Sequence, residues 1–301
     1  MNMRYEAAEK QIRPFYWSVR RELWENRSLY LAPLIVAGVI VIGFLFSAIG
    51  LAERRRALLL LSDPAAIRTA IEMPYTLAAV MMMITGFIVG VFYCLDALHG
   101  ERRERSILFW KSLPVADFTT VLSKISVPLL ILPVICFAVI IVTQIVIFLI
   151  TSVILVGHGM SPLSTLAHVN LSENTLILIY GLVVASLWHL PTYGWMMLVS
   201  AWARRAAFLW ALLPAVAISF FEKIVFGTNH FANLLAYRLT SWADHAFAFR
   251  GSGRHGQPVL ESLSQLTPAR YLATPGLWLG LVFAAICLAI AVRLRRYRGP
   301  I

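Results

Sequence analysis

Six long stretches of this chain carry almost no charged side chain, at 29–50, 75–98, 120–157, 175–203, 206–226 and 276–292. Crossing a bilayer takes about 20 mostly apolar residues. In hydrocarbon every backbone polar group must be satisfied within the spanning segment, which leaves the helix as the simple solution. The expected fold class is therefore an all-α membrane protein with six transmembrane helices, in a single domain over 1–301. Composition agrees: 59% of residues are hydrophobic and 14% charged, against about 25% charged in ordinary soluble domains. The net charge of +11 is not read as a nucleic-acid footprint, because the basic residues gather at the ends of apolar runs. Anionic lipid headgroups are the expected partners of such residues.

The third run is too long for one upright helix at 1.5 Å per residue, and it contains Pro128 and Pro133, which kink helices. Reading it as one span that projects beyond the bilayer gives six crossings; splitting it gives seven and moves the C-terminus to the other side. Counting Lys and Arg supports six. With the N-terminus inside, the inner segments hold 17 and the outer segments 9, the bias that sets orientation in membranes. Both termini are then cytoplasmic. The run Arg54-Arg55-Arg56, on the outer side, goes against this bias. The start does not read as a cleavable signal peptide, because charged and aromatic residues, rather than a short basic region, precede the first run.

Residues 5–27 place Ile12, Phe15, Tyr16, Val19 and Leu23 at helical spacing, with Arg13, Arg20 and Arg21 interleaved and Trp17 and Trp24 added. This predicts an amphipathic helix lying on the inner membrane surface, with its best start near Pro14. Residues 227–275 form the largest outer segment. Its first half, 229–249, is rich in aromatic residues and is expected to dip back as a short helix; 250–257 reads as a loop.

The middle of every span lacks Asp, Glu, Lys and Arg, the groups on which ion-coupled transporters rely. Gln144 and His189 are the mid-span polar candidates for a pathway. His189 precedes Pro191, so it is expected either to bond backbone carbonyls that the proline frees or to contact a substrate. No GxSxG or HExxH stretch suggests hydrolysis, and no GxxxxGK[ST] loop suggests nucleotide binding. Cys94, Cys136 and Cys287 have no metal spacing and are expected to pack as small apolar residues. Met81-Met82-Met83 and Met196-Met197 point to different helix faces and read as packing. His230, His245 and His255, with Asp244 and Glu261, fit no metal motif. A multi-span chain with no energy source of its own is either passive or driven by a partner.

One inner stretch is dense in charge: ERRERSILFWKSLPV, at 101–115. Glu101 and Arg105 are four apart and can pair across a helical turn. Ile107, Leu108, Trp110 and Leu113 then supply apolar surface, and Pro114 stops the element. The product is a short helix, charged at its start, that either docks a soluble protein or simply marks the inner side.

This stretch resembles the permease subunits of ABC-2 type transporters. The matching positions are Asp96, Glu101, Arg102 or Arg105, Ser106 to Leu108, and Leu113-Pro114-Val115, with Lys124 opening the third span. The layout of interfacial N-terminal helix, six spans and outer segment is similar too. The resemblance implies a permease chain, with no catalytic, metal or cofactor residues of its own, in a bacterial cytoplasmic membrane. It implies two permease chains, the same or related, and two ATP-binding subunits that hold ATP and Mg. A coupling helix over 100–114 would receive the ATP-driven motion, and the direction the resemblance favours is export. Asp96, Glu101, Arg102, Glu104, Arg105, Ser106 and Pro114 would serve coupling, with Trp110 and Leu113 anchoring the helix. The competing readings are a non-transporting scaffold or assembly factor that recruits a cytoplasmic protein and, last, a lipid-modifying intramembrane enzyme.

Overall fold

A computed structural model describes residues 14–60, 64–112, 115–161, 171–248 and 263–299. Among the described residues six helices are long and apolar enough to cross a membrane, as in a multi-pass membrane protein. These are α2 (Ser28–Ser47), α4 (Pro64–Asp96), the pair α7 (Asp117–Ser126) and α8 (Leu132–Gly157), α9 (Leu171–Trp202), α10 (Ala207–Phe226) and α14 (Pro275–Tyr297). Their covered faces meet in a core around Met82, Cys94, Ile125, Leu132, Ile140 and Met197, and their outward faces are bare apolar side chains. α9 packs most extensively on α14 and next on α4. α10 touches the bundle mainly through Ala207 and Ala211, small residues that let its backbone approach.

The third span is one helical rod, Asp117–Gly157. Pro128 does not break it, because Val127–Ile131 forms a π turn that accommodates the missing N–H, a local widening common inside α-helices. α4 begins at Pro64 rather than at Tyr75. Its extra turns carry Arg68 and Glu72, which pair at 3.0 Å. The last span likewise continues past 292 to Tyr297.

The basic run 54–56 lies on α3 (Leu51–Leu59), a short helix reached through Gly50 at φ +70°. Two of its arginines cap helix ends. Arg54 donates to the carbonyls of Ser47 and Ile49 at the end of α2, and Arg56 donates to that of His158, just past α8. Such carbonyls have no intrahelical partner, so two of these charges have a local structural use that offsets the topological bias.

Helix α1 (Pro14–Glu25) opens the described part of the chain; Ile12 and Arg13 lie outside the described residues. It packs on α7, turning Glu22 inward and leaving Phe15, Tyr16, Trp17 and Trp24 exposed. After α10 the chain folds back as α11 (His230–Thr240) and α12 (Trp242–Ala246). The aromatic stretch thus forms two short helices, not one. Trp188 of α9, fully buried, donates its indole N–H to the Arg238 carbonyl at 2.9 Å. Arg238 in turn donates to the Gly276 carbonyl at 2.8 Å. A short helix, α13 (Pro268–Leu272), leads into α14.

Candidate functional site

The charged stretch after the second span folds as two short helices, α5 (His99–Arg103) and α6 (Ile107–Ser112). The break is sharp: Arg105 has φ +59°, a conformation that costs a side-chain-bearing residue about 1–2 kcal/mol. The expected single helix and the expected Glu101–Arg105 pair are therefore both corrected. The i,i+4 geometry is lost where the backbone reverses its twist, and Glu101 turns inward instead.

Glu101 is 8% exposed and holds three cations from three other elements. Its Oε1 lies 2.9 Å from Arg21 Nη2 and 3.2 Å from Lys124 Nζ; its Oε2 lies 3.1 Å from Arg295 Nη2. Lys124 also reaches Glu22 Oε1 at 2.8 Å, and Arg295 reaches Asp117 Oδ1 at 2.5 Å. Tyr93 donates to Glu22 Oε2 at 2.9 Å. Three carboxylates, on Glu22, Glu101 and Asp117, thus offset three cations, on Arg21, Lys124 and Arg295. Burying isolated charges is prohibitive, and only such mutual pairing makes it tolerable. Burial works against the Glu22 carboxylate, yet Lys124 and then Arg21 outweigh it and hold the group below the usual carboxylate range.

The network joins α1, α4, α5, α7 and α14 at one end of the bundle. A second set of bonds ties in α9. Ser200 Oγ accepts the backbone N–H groups of Leu98 and His99 at 3.0 and 2.9 Å. Arg102, 5% exposed, donates to the carbonyls of Ala201 and Ala203 at 2.8 and 3.1 Å. Lys111 reaches the carbonyls of Arg296 and Arg298 at 3.3 Å. Trp110 lies under the Arg21 guanidinium, 3.8 Å from ring centroid to carbon. Ser106 contacts the Glu101 carbonyl at 3.4 Å.

Of the residues expected to contact a partner, the structure thus places Glu101 and Arg102 inside. Asp96, Glu104 and Arg105 are exposed, with Arg103 3.8 Å from Asp96 and 3.4 Å from Glu104. Leu108 and Phe109 stand about 60% exposed beside them. Leu113 and Pro114 lie outside the described residues. The sequence reading missed Glu22, Tyr93, Asp117, Ser200 and Arg295 as parts of this assembly. For Arg295 the signal is its spacing, four residues after Ala291 on one helix face.

Farther along the bundle, α4, α8, α9 and the π turn line a half-open cavity of about 190 Å³, to whose wall Leu239 and Trp242 also contribute. His189 lies on its wall and Gln144 does not. Gln144 donates instead to the Tyr75 carbonyl at 3.4 Å. Pro191 leaves the Leu187 carbonyl without its usual donor, but His189 does not go there: its Nδ1 lies 2.7 Å from the Ala185 carbonyl, one turn back. Cys136 lines the same wall, and all three cysteines are free and buried. Among the described residues no cluster of three or more His, Cys, Asp or Glu is placed to hold a metal. His245 faces the Tyr237 hydroxyl at 3.2 Å; His255 and Glu261 lie outside the described residues.

No protein-family model, curated protein or solved structure matches the chain.

Proposed function

We propose that this chain is the permease subunit of an ATP-driven ABC-2 type exporter in a bacterial cytoplasmic membrane, with both termini cytoplasmic and α1 resting on the inner surface. Two ATP-binding subunits, holding ATP and Mg, dock beneath two permease chains. The chain itself carries out no chemistry. The observation that supports this reading most is the contrast within 96–112. A bare strip of Arg103, Glu104, Arg105, Leu108 and Phe109 projects outward, while its root is clamped by buried ion pairs to α1, α7 and α14 and by hydrogen bonds to α9. Force applied to such a strip is delivered to several helices at once, because packed interiors transmit displacement rather than absorb it. A scaffold or assembly factor would use the same strip to recruit a cytoplasmic protein, but would gain nothing from so rigid a root.

The test is purification of the tagged full-length chain from its native membrane in mild detergent, followed by mass spectrometry, beside Arg103→Glu with Glu104→Arg. Both positions are exposed, so the reversal leaves the buried network intact. The reading expects a stoichiometric subunit with a GxxxxGK[ST] loop in the wild type and its loss in the variant. Recovery of the chain with some other cytoplasmic protein, and no such subunit, would put the scaffold first.

A further inference from the structure

We propose that the cavity beside His189 is a binding site for a small, mostly apolar molecule that carries one hydroxyl or amine, about the size of a phenol. The inference begins with the imidazole. Nδ1 sits 2.7 Å from the Ala185 carbonyl, and a carbonyl only accepts, so Nδ1 carries the proton. In the neutral ring Nε2 is then an acceptor. Yet Nε2 lies 3.4 Å from a second acceptor, the Leu239 carbonyl. Leu239 belongs to the last turn of α11, where carbonyls run out of intrahelical donors. Two acceptors therefore face each other with no donor between them among the described residues.

A doubly protonated ring would satisfy both carbonyls, but at the cost of a charge 6% exposed in an apolar wall, with the nearby cation Arg238 opposing it. Buried charges need an opposite partner, and the cavity wall offers no carboxylate. The Ser186 hydroxyl is not the missing donor either, since it donates to Leu182 at 2.7 Å.

Leu239 and His189 both line the cavity, so a donor placed there meets both acceptors. The rest of the wall sets the size and character of the guest. Met83, Phe87, Leu132, Cys136 and Trp242 are apolar or aromatic, and the Phe87 ring centroid lies 4.5 Å from that of His189. A volume of about 190 Å³ exceeds the ~150 Å³ void that takes a benzene ring in an engineered core, leaving room for a ring plus one polar substituent. The wall is already close-packed behind this space. A Cβ on Gly90 would come within 3.0 Å of the Tyr193 ring, and one on Gly86 within 2.9 Å of Cys136 Sγ. On that side the space backs onto tight contacts rather than loose packing. This site stands on the cavity alone and is independent of the transport reading; it exists whether or not an ATP-binding subunit is found.

The experiment is a ¹⁹F NMR titration of the full-length protein in detergent with two probes of similar shape, 4-fluorophenol, which donates, and 4-fluoroanisole, which does not. The expected result is about tenfold tighter binding of the phenol, the worth of one net hydrogen bond. In His189→Leu the preference falls to about onefold. In Ser186→Phe, which leaves the imidazole in place and fills the space, both probes lose specific binding. Equal binding of the two probes, a preference that survives His189→Leu, or binding that survives Ser186→Phe would overturn the proposal. So would the absence of specific binding by either probe.

Discussion

Replacing Glu101 by Gln removes the one charge on which Arg21, Lys124 and Arg295 converge, at 2.9, 3.2 and 3.1 Å. Side-chain volume hardly changes, so the effect is electrostatic. Breaking a buried ion pair by deleting one partner costs about 3–5 kcal/mol. Here all three cations keep another carboxylate, Glu22 and Glu25 for Arg21, Glu22 for Lys124 and Asp117 for Arg295, which places the expected loss at the lower end, about 3 kcal/mol. For a chain of this size each kcal/mol moves the unfolding midpoint by about 2–4 °C, so a fall of about 6–12 °C is expected. The assay is thermal unfolding in detergent, followed by tryptophan fluorescence. Glu104→Gln is the control: its carboxylate is 67% exposed, and surface changes of this kind stay within about 0.5 kcal/mol. Glu101→Gln and Glu22→Gln should also combine non-additively, because both act on Lys124. If Glu101→Gln melts with Glu104→Gln, the network does not hold this end of the bundle together and the reasoning fails.

Three further outcomes are expected. Glu22, held below its ordinary value of 4.5, contributes stability that is complete above that value and is lost as pH falls through the lower folded-state value. Acid unfolding of the wild type should therefore steepen below about pH 4.5, and Glu22→Gln should flatten the profile. Arg105→Gly should raise stability by about 1 kcal/mol, because φ +59° suits glycine. If the same variant weakens capture of an ATP-binding subunit, the side chain of Arg105, and not its backbone, makes that contact. Gly280→Ala should destabilise by about 1–3 kcal/mol, the usual range for overpacking, since its Cβ would meet Arg238 Nη2 at 2.6 Å and Pro191 Cγ at 2.8 Å; calorimetric or fluorescence melting reads it directly.

The spans were legible because a helix in hydrocarbon needs only local information: enough apolar residues in a row. For the same reason the third run was rightly read as one rod. The site was legible only in part. Lys124 and Glu101 stood out as charges beside apolar runs, but nothing local pairs them with each other or with Glu22 and Arg295. The partners of Glu101 are 80 and 194 positions away for Arg21 and Arg295, and such pairs are set by how the helices pack. The turn at Arg105 was hidden for another reason. Its neighbours are good helix formers, and the positive φ separates an inward Glu101, held by three cations, from Leu108 and Phe109 outside. His189 was visible as a polar group in an apolar span, but the missing donor beside it depends on a carbonyl of α11, which folds back from 50 residues away.

The π turn at Val127–Ile131 has a consequence for the whole third span. Its defining bond runs from the Leu132 N–H back to Val127, one residue further than in an α-helix, so this rod carries one surplus residue. An α-helix advances about 100° per residue. Everything on the Lys124 side of the turn is therefore dialled by roughly that angle relative to everything on the Cys136 side. This offset lets one rod present a lysine to the ion pairs at its base and a cavity wall farther along. Deleting a single residue from 127–131 would restore a regular helix and turn one of those two faces away from its partner.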